Sequence, residues 1–325
     1  MRALVIGFGS IGRRHAANLR GILSPMELVV LRQEGRNDSA TRHLRAHVVG
    51  DLETALSSRP DFAVVATPSA RHIDALLPLL ASGIPCYVEK PVVSRRDDLT
   101  KLESLLARLN GVPITHAGCN LRYMPSLLRL RQLVADGVIG NVVRASLQAG
   151  QWLPDWRPGT DYRVTYSAKS SEGGGVILDL MHEIDAARWL FGDFDRVTGM
   201  AGKLSSLDIS AEDTACLVLG KHTGGPLVTI GLDYVSRCRM RRYEIIGEEG
   251  TLIWDFSAAR LELVTDDEVT QIECTRDDFD ISRTYVTAMR EFVESVKCNC
   301  PTSQDIFEGM RSMDLTLRLR EAIGL

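Results

Sequence analysis

The chain opens Arg2-Ala3-Leu4-Val5-Ile6-Gly7-Phe8-Gly9-Ser10-Ile11-Gly12 and continues Arg13-Arg14-His15-Ala16-Ala17-Asn18-Leu19. The apolar run from Ala3 to Ile6 has the character of a strand buried on both faces, and the glycines after it have the G-x-G-x-x-G spacing of a dinucleotide-binding turn. Gly7 permits the tight turn, Gly9 lets the backbone approach a pyrophosphate, and Gly12 lets the next helix pack close to the strand. That helix then presents its orphan N–H groups and positive dipole end to the phosphates. Three glycines at this spacing can be an ordinary turn. Here a strand precedes them, a helical pattern with Ile11, Ala16 and Leu19 on one side follows, and a second strand arrives at Leu28 to Leu31. Phe8, Ser10 and Ile11 belong to the same expected cofactor turn.

Outward from this turn the first region alternates strand and helix. Further strands are expected at His47 to Val49, Phe62 to Ala66, Pro85 to Val88 and Pro113 to Ala117. Helices are expected around Leu52 to Leu56, from Arg71 to Ala81, and from Arg96 or Asp97 to about Leu109. Strands this apolar cannot show either face to water, so the order implies a parallel sheet with helical crossovers. Beyond Asn120 the period changes. After a helix from Pro125 or Ser126 to Asp136, polar and apolar residues alternate from Val142 to Gln151. Strands follow at Arg196 to Lys203, Asp213 to Leu219, Leu227 to Tyr234, Arg241 to Gly247 and Gly250 to Phe256, with a pair near Ala259 to Leu263 and Val269 to Glu273. Helices at Thr284 to Val296 and Gln304 to Ile323 end the chain. The expected fold is α/β: an N-terminal Rossmann parallel sheet over residues 1–120, and an α+β domain with a largely antiparallel open sheet over residues 121–325.

A chain of 325 residues with a net charge of −4 offers no argument for a nucleic-acid or membrane surface, because its arginines are interspersed with acids. Met1 leads straight into a core strand without a charged leader, so the cytoplasm is the expected compartment. Seven cysteines, at 86, 119, 216, 238, 274, 298 and 300, read as reduced thiols rather than a disulfide framework or zinc site.

Gly7 to Gly12, Thr67-Pro68-Ser69, Glu89-Lys90-Pro91, Asn120-Leu121-Arg122-Tyr123 and Gly173-Gly174-Gly175-Val176-Ile177-Leu178-Asp179-Leu180-Met181-His182-Glu183-Ile184-Asp185 resemble, in order and spacing, the Gfo/Idh/MocA family, the glucose–fructose oxidoreductase and inositol dehydrogenase group. The resemblance spans nearly the whole chain. It implies a Rossmann domain, a C-terminal open-sheet domain that often forms the oligomer interface, and nicotinamide-dependent oxidation or reduction of a sugar, cyclitol or related carbonyl. A narrower likeness in Gln151 to Pro158 and Asp161-Tyr162-Arg163 is to a bacterial branch that accompanies nonulosonic-acid and surface-polysaccharide synthesis.

The chemistry can be read beside the resemblance. Lys90 lies at the carboxyl end of an expected parallel strand, where open α/β sheets place ligands, and a lysine there can move a hydroxyl proton and stabilise negative charge on oxygen. The family's catalytic lysine matches this position. Asp179, His182 and Asp185 recur three apart and can line one side of a helix after the glycine run, which allows close approach to a ligand. From the residues alone, His182 is open between structural and catalytic duty; the family's recurrent active-site histidine matches it. The chain departs from the family pattern in a shorter interval between Asp179 and His182. Asp185 can anchor the His182 ring or support the helix. Trp152, Trp156, Arg157, Tyr162, Arg163 and Tyr166 form an aromatic and basic segment able to stack on a sugar face, or alternatively a loop core. Ser167 to Glu172 reads as a mobile cover.

Expected catalytic residues are therefore Lys90 and His182. Cofactor contacts are expected from the glycine turn, Arg32, Thr67, Pro68, Ser69, His72, Glu89, Lys90 and Arg122, and substrate contacts from Lys90, Asn120, Trp152, Arg157, Tyr162, Tyr166, Asp179 and His182. No metal is expected, since hydride transfer needs none. Leu28 to Leu31 ends in Arg32-Gln33 where an NAD-selective site usually carries an acid, so NADP is favoured over NAD, with Arg36 or Arg13 as a second cation and Glu34 as a competing carboxylate. The expected activity is hydride transfer between nicotinamide and a sugar, amino sugar, nonulosonic acid or nucleotide sugar, in a homodimer or homotetramer. Alternatives are a non-catalytic dinucleotide-sensing regulator and an NAD-assisted glycoside lyase or hydrolase.

Overall fold

The apolar runs read as buried strands form one parallel sheet. In the computed structural model, which describes residues 1–32 and 35–325, these strands are β1 (Arg2–Ile6), β2 (Glu27–Leu31), β3 (His47–Val49), β4 (Phe62–Val65), β5 (Cys86–Val88) and β6 (Thr115–Ala117). Their spatial order is β3-β2-β1-β4-β5-β6, with every neighbouring pair parallel. The direction of winding reverses between β1 and β4. In such sheets a crevice opens at that point, outside the carboxyl ends of the strands. The helices are α1 (Ser10–Ile22), α2 (Ser39–His43), α3 (Leu52–Ser57), α4 (His72–Ala81) and α5 (Arg96–Leu106). Leu4, Val5, Ala63, Val64 and Val65 are wholly buried, the outcome expected when both faces of a sheet are covered.

This sheet belongs to a unit of Met1–Cys119 and Tyr285–Met313; the second unit is Asn120–Thr284 with Asp314–Leu325. A division at residue 120 alone places Tyr285–Met313 with the second half. In the structure Phe292 is fully buried, with its ring edge-on to Phe62 at 5.6 Å and to Tyr87 at 5.9 Å. Gly309 has no room for a Cβ beside Val92 and Ala117, and the Thr302 hydroxyl donates to the Thr115 carbonyl at 2.6 Å. The returning segment thus completes the covering of β4, β5 and β6.

The second unit contains α6 (Pro125–Ala135), β7 (Val142–Gly150), α7 (Val176–Asp179), α8 (His182–Phe191) and the strands β8 (Arg196–Gly202), β9 (Thr214–Gly220), β10 (Leu227–Asp233), β11 (Met240–Gly247), β12 (Thr251–Asp255), β13 (Arg260–Val264) and β14 (Val269–Gln271). The strand order is β14-β13-β12-β11-β7-β10-β9-β8, parallel between β7 and β10 and antiparallel at the other junctions. Alternation decides the faces. Ala215, Leu217 and Leu219 of β9 and Val228, Ile230 and Leu232 of β10 point into a core shared with Leu127, Leu130, Val176, Ile177 and Ile184. Cys216, Met200 and Leu227 lie on the other face and are exposed. Two long helices, α9 (Ile281–Cys298) and α10 (Ile306–Ala322), follow. Among the described residues no helix is long and apolar enough to cross a membrane.

Two local expectations change. The stripe Asp179, His182, Asp185 is not one helix: α7 stops at Asp179, Leu180 leaves helical geometry, and His182 begins α8. Ser167 to Glu172 is not a loose cover throughout. Ser167 and Ala168 are buried, and the Ala168 carbonyl accepts the Ser210 N–H at 2.9 Å.

Candidate active site

The glycine turn is fixed by contacts that only glycine permits. Gly7 has φ +91°, and a Cβ there would lie 2.6 Å from the Ala66 carbonyl oxygen and 2.8 Å from the Thr67 nitrogen. A Cβ on Gly12 would meet the Gly7 carbonyl oxygen, so α1 packs directly on the end of β1. At Gly9 a Cβ would meet nothing within 4 Å, so the protein's own packing does not demand glycine there. Gly7 N–H donates to the Leu31 carbonyl at 3.0 Å, and Ala66 N–H to that of Ile6 at 2.8 Å, tying the ends of β1, β2 and β4 together. A cleft of about 410 Å³ opens there, lined by Gly7, Phe8, Leu31, Arg32, Asp51, Thr67, Pro68 and Arg71 among others. Glycine turn, helix start and cleft fit a dinucleotide held by backbone N–H groups.

Lys90 follows β5 at the same edge of the sheet. The preceding Glu89 is buried; its Oε1 lies 2.6 Å from His15 Nε2, and its Oε2 accepts the Lys90 backbone N–H at 3.3 Å. His15 comes from α1, one turn after the glycines, so the pair fastens the Lys90 turn to the helix of the glycine motif. Ser69 is buried in the turn before α4. His72, expected to touch the cofactor, is instead 1 % exposed, with Nδ1 2.7 Å from the Pro91 carbonyl and Nε2 2.9 Å from that of Thr67. Both ring nitrogens are thus engaged inside the protein. Burial holds its pKa below the usual imidazole value, so the ring is neutral and its single N–H donates to one of the two carbonyls.

In the second unit the glycine run is packed against protein. A Cβ on Gly174 would meet the carbonyls of Tyr166, Ser167 and Lys169, and one on Gly175, at φ +120°, would meet the Glu212 carboxylate. The close approach read from these glycines is therefore to the chain's own turns. The run delivers α7, whose last residue, Asp179, accepts the Tyr234 hydroxyl at 2.7 Å and also that of Tyr166. Burial, with Asp179 beside them, drives both phenols well above their ordinary pKa, so they remain neutral donors. Arg157 lies 5.1 Å over the Tyr166 ring and reaches the Ser167 hydroxyl at 3.3 Å; Trp156 stands edge-on to Tyr234 at 5.2 Å. Burial raises the pKa of the Glu212 carboxyl.

The structure thus gathers Arg157, Tyr166 and Asp179 with Tyr234 and Glu212, which sequence reasoning missed. Trp152 is covered by the Arg237 guanidinium at 3.6 Å, and the Tyr162 hydroxyl accepts the Asp208 N–H at 3.2 Å. Asn120 is buried and donates to the Thr284 hydroxyl at 2.6 Å. Arg122, expected at the cofactor, forms a buried bidentate pair with Asp185, Nε to Oδ2 at 2.9 Å and Nη2 to Oδ1 at 2.6 Å. Asp185 thereby anchors Arg122. His182, at the start of α8, is buried at 7 % exposure. Glu34, weighed above against Arg32, lies outside the described residues, as does Gln33.

Comparison with known proteins bears on the whole arrangement. Residues 1–115 match the model of an oxidoreductase family with an NAD-binding Rossmann fold, and residues 127–253 match the C-terminal domain model of the same Gfo/Idh/MocA family. The chain belongs to the Gfo/Idh/MocA oxidoreductase family. Among its relatives, an inositol 2-dehydrogenase of Gluconacetobacter diazotrophicus is 29 % identical over 193 residues, covering 57 % of this chain and 53 % of that protein. A D-apiose dehydrogenase of Paraburkholderia graminis is 26 % identical over 269 residues, covering 77 % of this chain and 66 % of that protein. The chain therefore aligns with about half of the first relative and just under two thirds of the second. An oxidoreductase from Agrobacterium radiobacter, solved with NAD+, L-tartaric acid and magnesium, shares the fold at a TM-score of 0.84 and 16 % identity, covering 100 % of this chain and 96 % of that one.

The weight of the Arg122–Asp185 pair can be read from stability. Arg122→Ala or Asp185→Asn leaves a buried charge without its partner and is expected to cost about 3–5 kcal/mol, whereas Arg122→Met combined with Asp185→Leu costs less than either single change. Urea unfolding of the full chain reads both. Wild-type midpoints in the single variants would contradict this account of the pair.

Proposed function

We propose that this family member is a cytoplasmic NAD(P)-dependent dehydrogenase or reductase acting on a hydroxyl or carbonyl of a sugar or sugar derivative, with NADP favoured. The observation that carries the reading is the placement of Lys90 at the carboxyl end of β5, on the sheet edge that also bears the glycine turn, Arg32 and Thr67. The bound nicotinamide would supply the hydride acceptor or donor. Gly7, Phe8, Gly9, Ser10, Ile11 and Gly12 hold the pyrophosphate portion through backbone N–H groups, Thr67 and Pro68 line the same cleft, and Ser69 supports their turn from its buried position. Lys90 hydrogen-bonds the reacting oxygen, giving it a proton as the ammonium in the reducing direction and taking that proton as the neutral amine in the oxidising direction, which offsets the negative charge that develops on the oxygen. Glu89 and His15 fix the backbone that aims it. His182 orients or assists the proton transfer, and Asp179, with its two tyrosines, shapes the substrate side together with Arg157. NADP is supported by a guanidinium, Arg32, where a carboxylate would repel a 2′-phosphate.

Sugars, free amino sugars, nonulosonic acids and nucleotide sugars are the substrate classes for a cofactor-monitored screen. With a substrate in hand, Lys90→Ala is expected to lower turnover by about 10²–10⁴-fold while keeping most dinucleotide affinity. Near-normal turnover in the folded variant would remove Lys90 from catalysis.

We also propose a homodimer or homotetramer assembled through the second sheet. Met200 is 80 % exposed and Leu227 51 % exposed on its outer face, the side its own helices do not cover. Sedimentation at micromolar concentration should show the oligomer; a monodisperse monomer would reject it.

A further inference from the structure

The ribose end of the cleft carries an arrangement that the glycine motif does not announce. Arg32, just beyond β2, lines the cleft, and its Nη1 donates to Asp38 Oδ2 at 2.8 Å. Arg13, from the first turn of α1, brings Nη2 to that same oxygen at 3.0 Å, while its Nε donates to the Phe8 carbonyl at 3.2 Å. The two guanidinium groups read from the sequence as ligands for a 2′-phosphate therefore converge on one carboxylate oxygen. Asp38 is held in place independently of them. Its Oδ1 caps α2 by accepting the Thr41 N–H at 2.9 Å, and the Thr41 hydroxyl accepts the Asp38 N–H at 2.8 Å. The cap, together with Arg32 and Arg13, keeps the carboxyl at about 2, so it is ionised at neutral pH. Asp51, which lines the cleft, is occupied in capping α3 through Thr54 N–H at 2.7 Å and the Thr54 hydroxyl at 2.8 Å.

We propose that Asp38 is a specificity-determining residue of the ribose subsite: its carboxylate competes with the 2′-phosphate of NADP for Arg32 and Arg13 and so restrains the preference for NADP. The inference rests on the reading of this edge as the adenosine-ribose site. A 2′-phosphate can bond these cations only by drawing them off Asp38, which leaves the carboxylate without their charge, or by sharing them with it, which brings two like charges together. A 2′-hydroxyl makes no such demand. The chain thus carries the cations suited to NADP and, six residues beyond Arg32, the anion that offsets them.

Binding of NADPH and NADH, followed by nicotinamide fluorescence, tests this without a known substrate. Asp38→Asn keeps the capping oxygen and removes the charge, and Asp38→Ser provides a second capping side chain should the first variant fold poorly. Each is expected to raise the ratio of NADPH to NADH affinity by about 10-fold or more, the effect of freeing charge-assisted bonds, while NADH affinity stays near wild type. Arg32→Ala should lower the same ratio. A ratio within about twofold of wild type in both Asp38 variants overturns the proposal, even where Arg32→Ala lowers it and so upholds Arg32 as the phosphate ligand. A rise with Asp38→Asn alongside no change with Arg32→Ala sinks the role of Arg32 and leaves Asp38 acting through Arg13.

Discussion

Everything at the dinucleotide edge depends on one contact, the seating of Gly12 on the Gly7 carbonyl oxygen. A methyl group at Gly12 has no place there, so α1 starts against the end of β1 and its first N–H groups face the crevice opened by the reversal between β1 and β4. Gly7 adds the positive φ that turns the chain past Ala66 and Thr67. From that seat the rest follows in space. Arg13 and His15 of α1 reach Asp38 and Glu89, and the His72 ring sits between the Thr67 and Pro91 carbonyls. A short stretch of sequence thereby sets the Arg32 end and the Lys90 end of one edge.

The second unit obeys a different constraint, the pairing of buried charge. Glu183 and Arg241 lie 2.6 Å apart, almost wholly buried, and the Tyr243 hydroxyl donates to the same carboxylate at 3.2 Å. Arg122 and Asp185 make a bidentate pair, and Asp179 collects two tyrosines. An ionised group in such surroundings is tolerable only with partners, which also fix where each side chain points. The positions of α7 and α8 under the sheet are set by these bonds as much as by Val176, Ile177 and Ile184 in the core.

Most of the architecture was legible because its signal is local. Ala3 to Ile6 and Phe62 to Ala66 read as strands buried on both faces, as the structure shows. The site was less legible where partners are distant in sequence. Nothing near Asp179 announces Tyr234, and nothing near Arg122 announces Asp185. The break at Leu180 was hidden because residues three apart fit an unbroken helix equally well. Asp38 left a trace, an acid three residues before Thr41 in the manner of a helix cap, but its bonds to Arg32 and Arg13 require the fold. The return of Phe292 to the first sheet is of the same kind, an apolar helix face whose partner no local pattern names.

The central claim is that the edge built around Gly7 and Gly12 holds a nicotinamide dinucleotide. Calorimetric titration of the full chain with NADPH and, separately, with NADH tests it most directly. The account predicts saturable binding of one dinucleotide per chain for at least one of the two, with AMP competing for the site. Heats no larger than dilution for both cofactors, from protein shown to be folded, would contradict it.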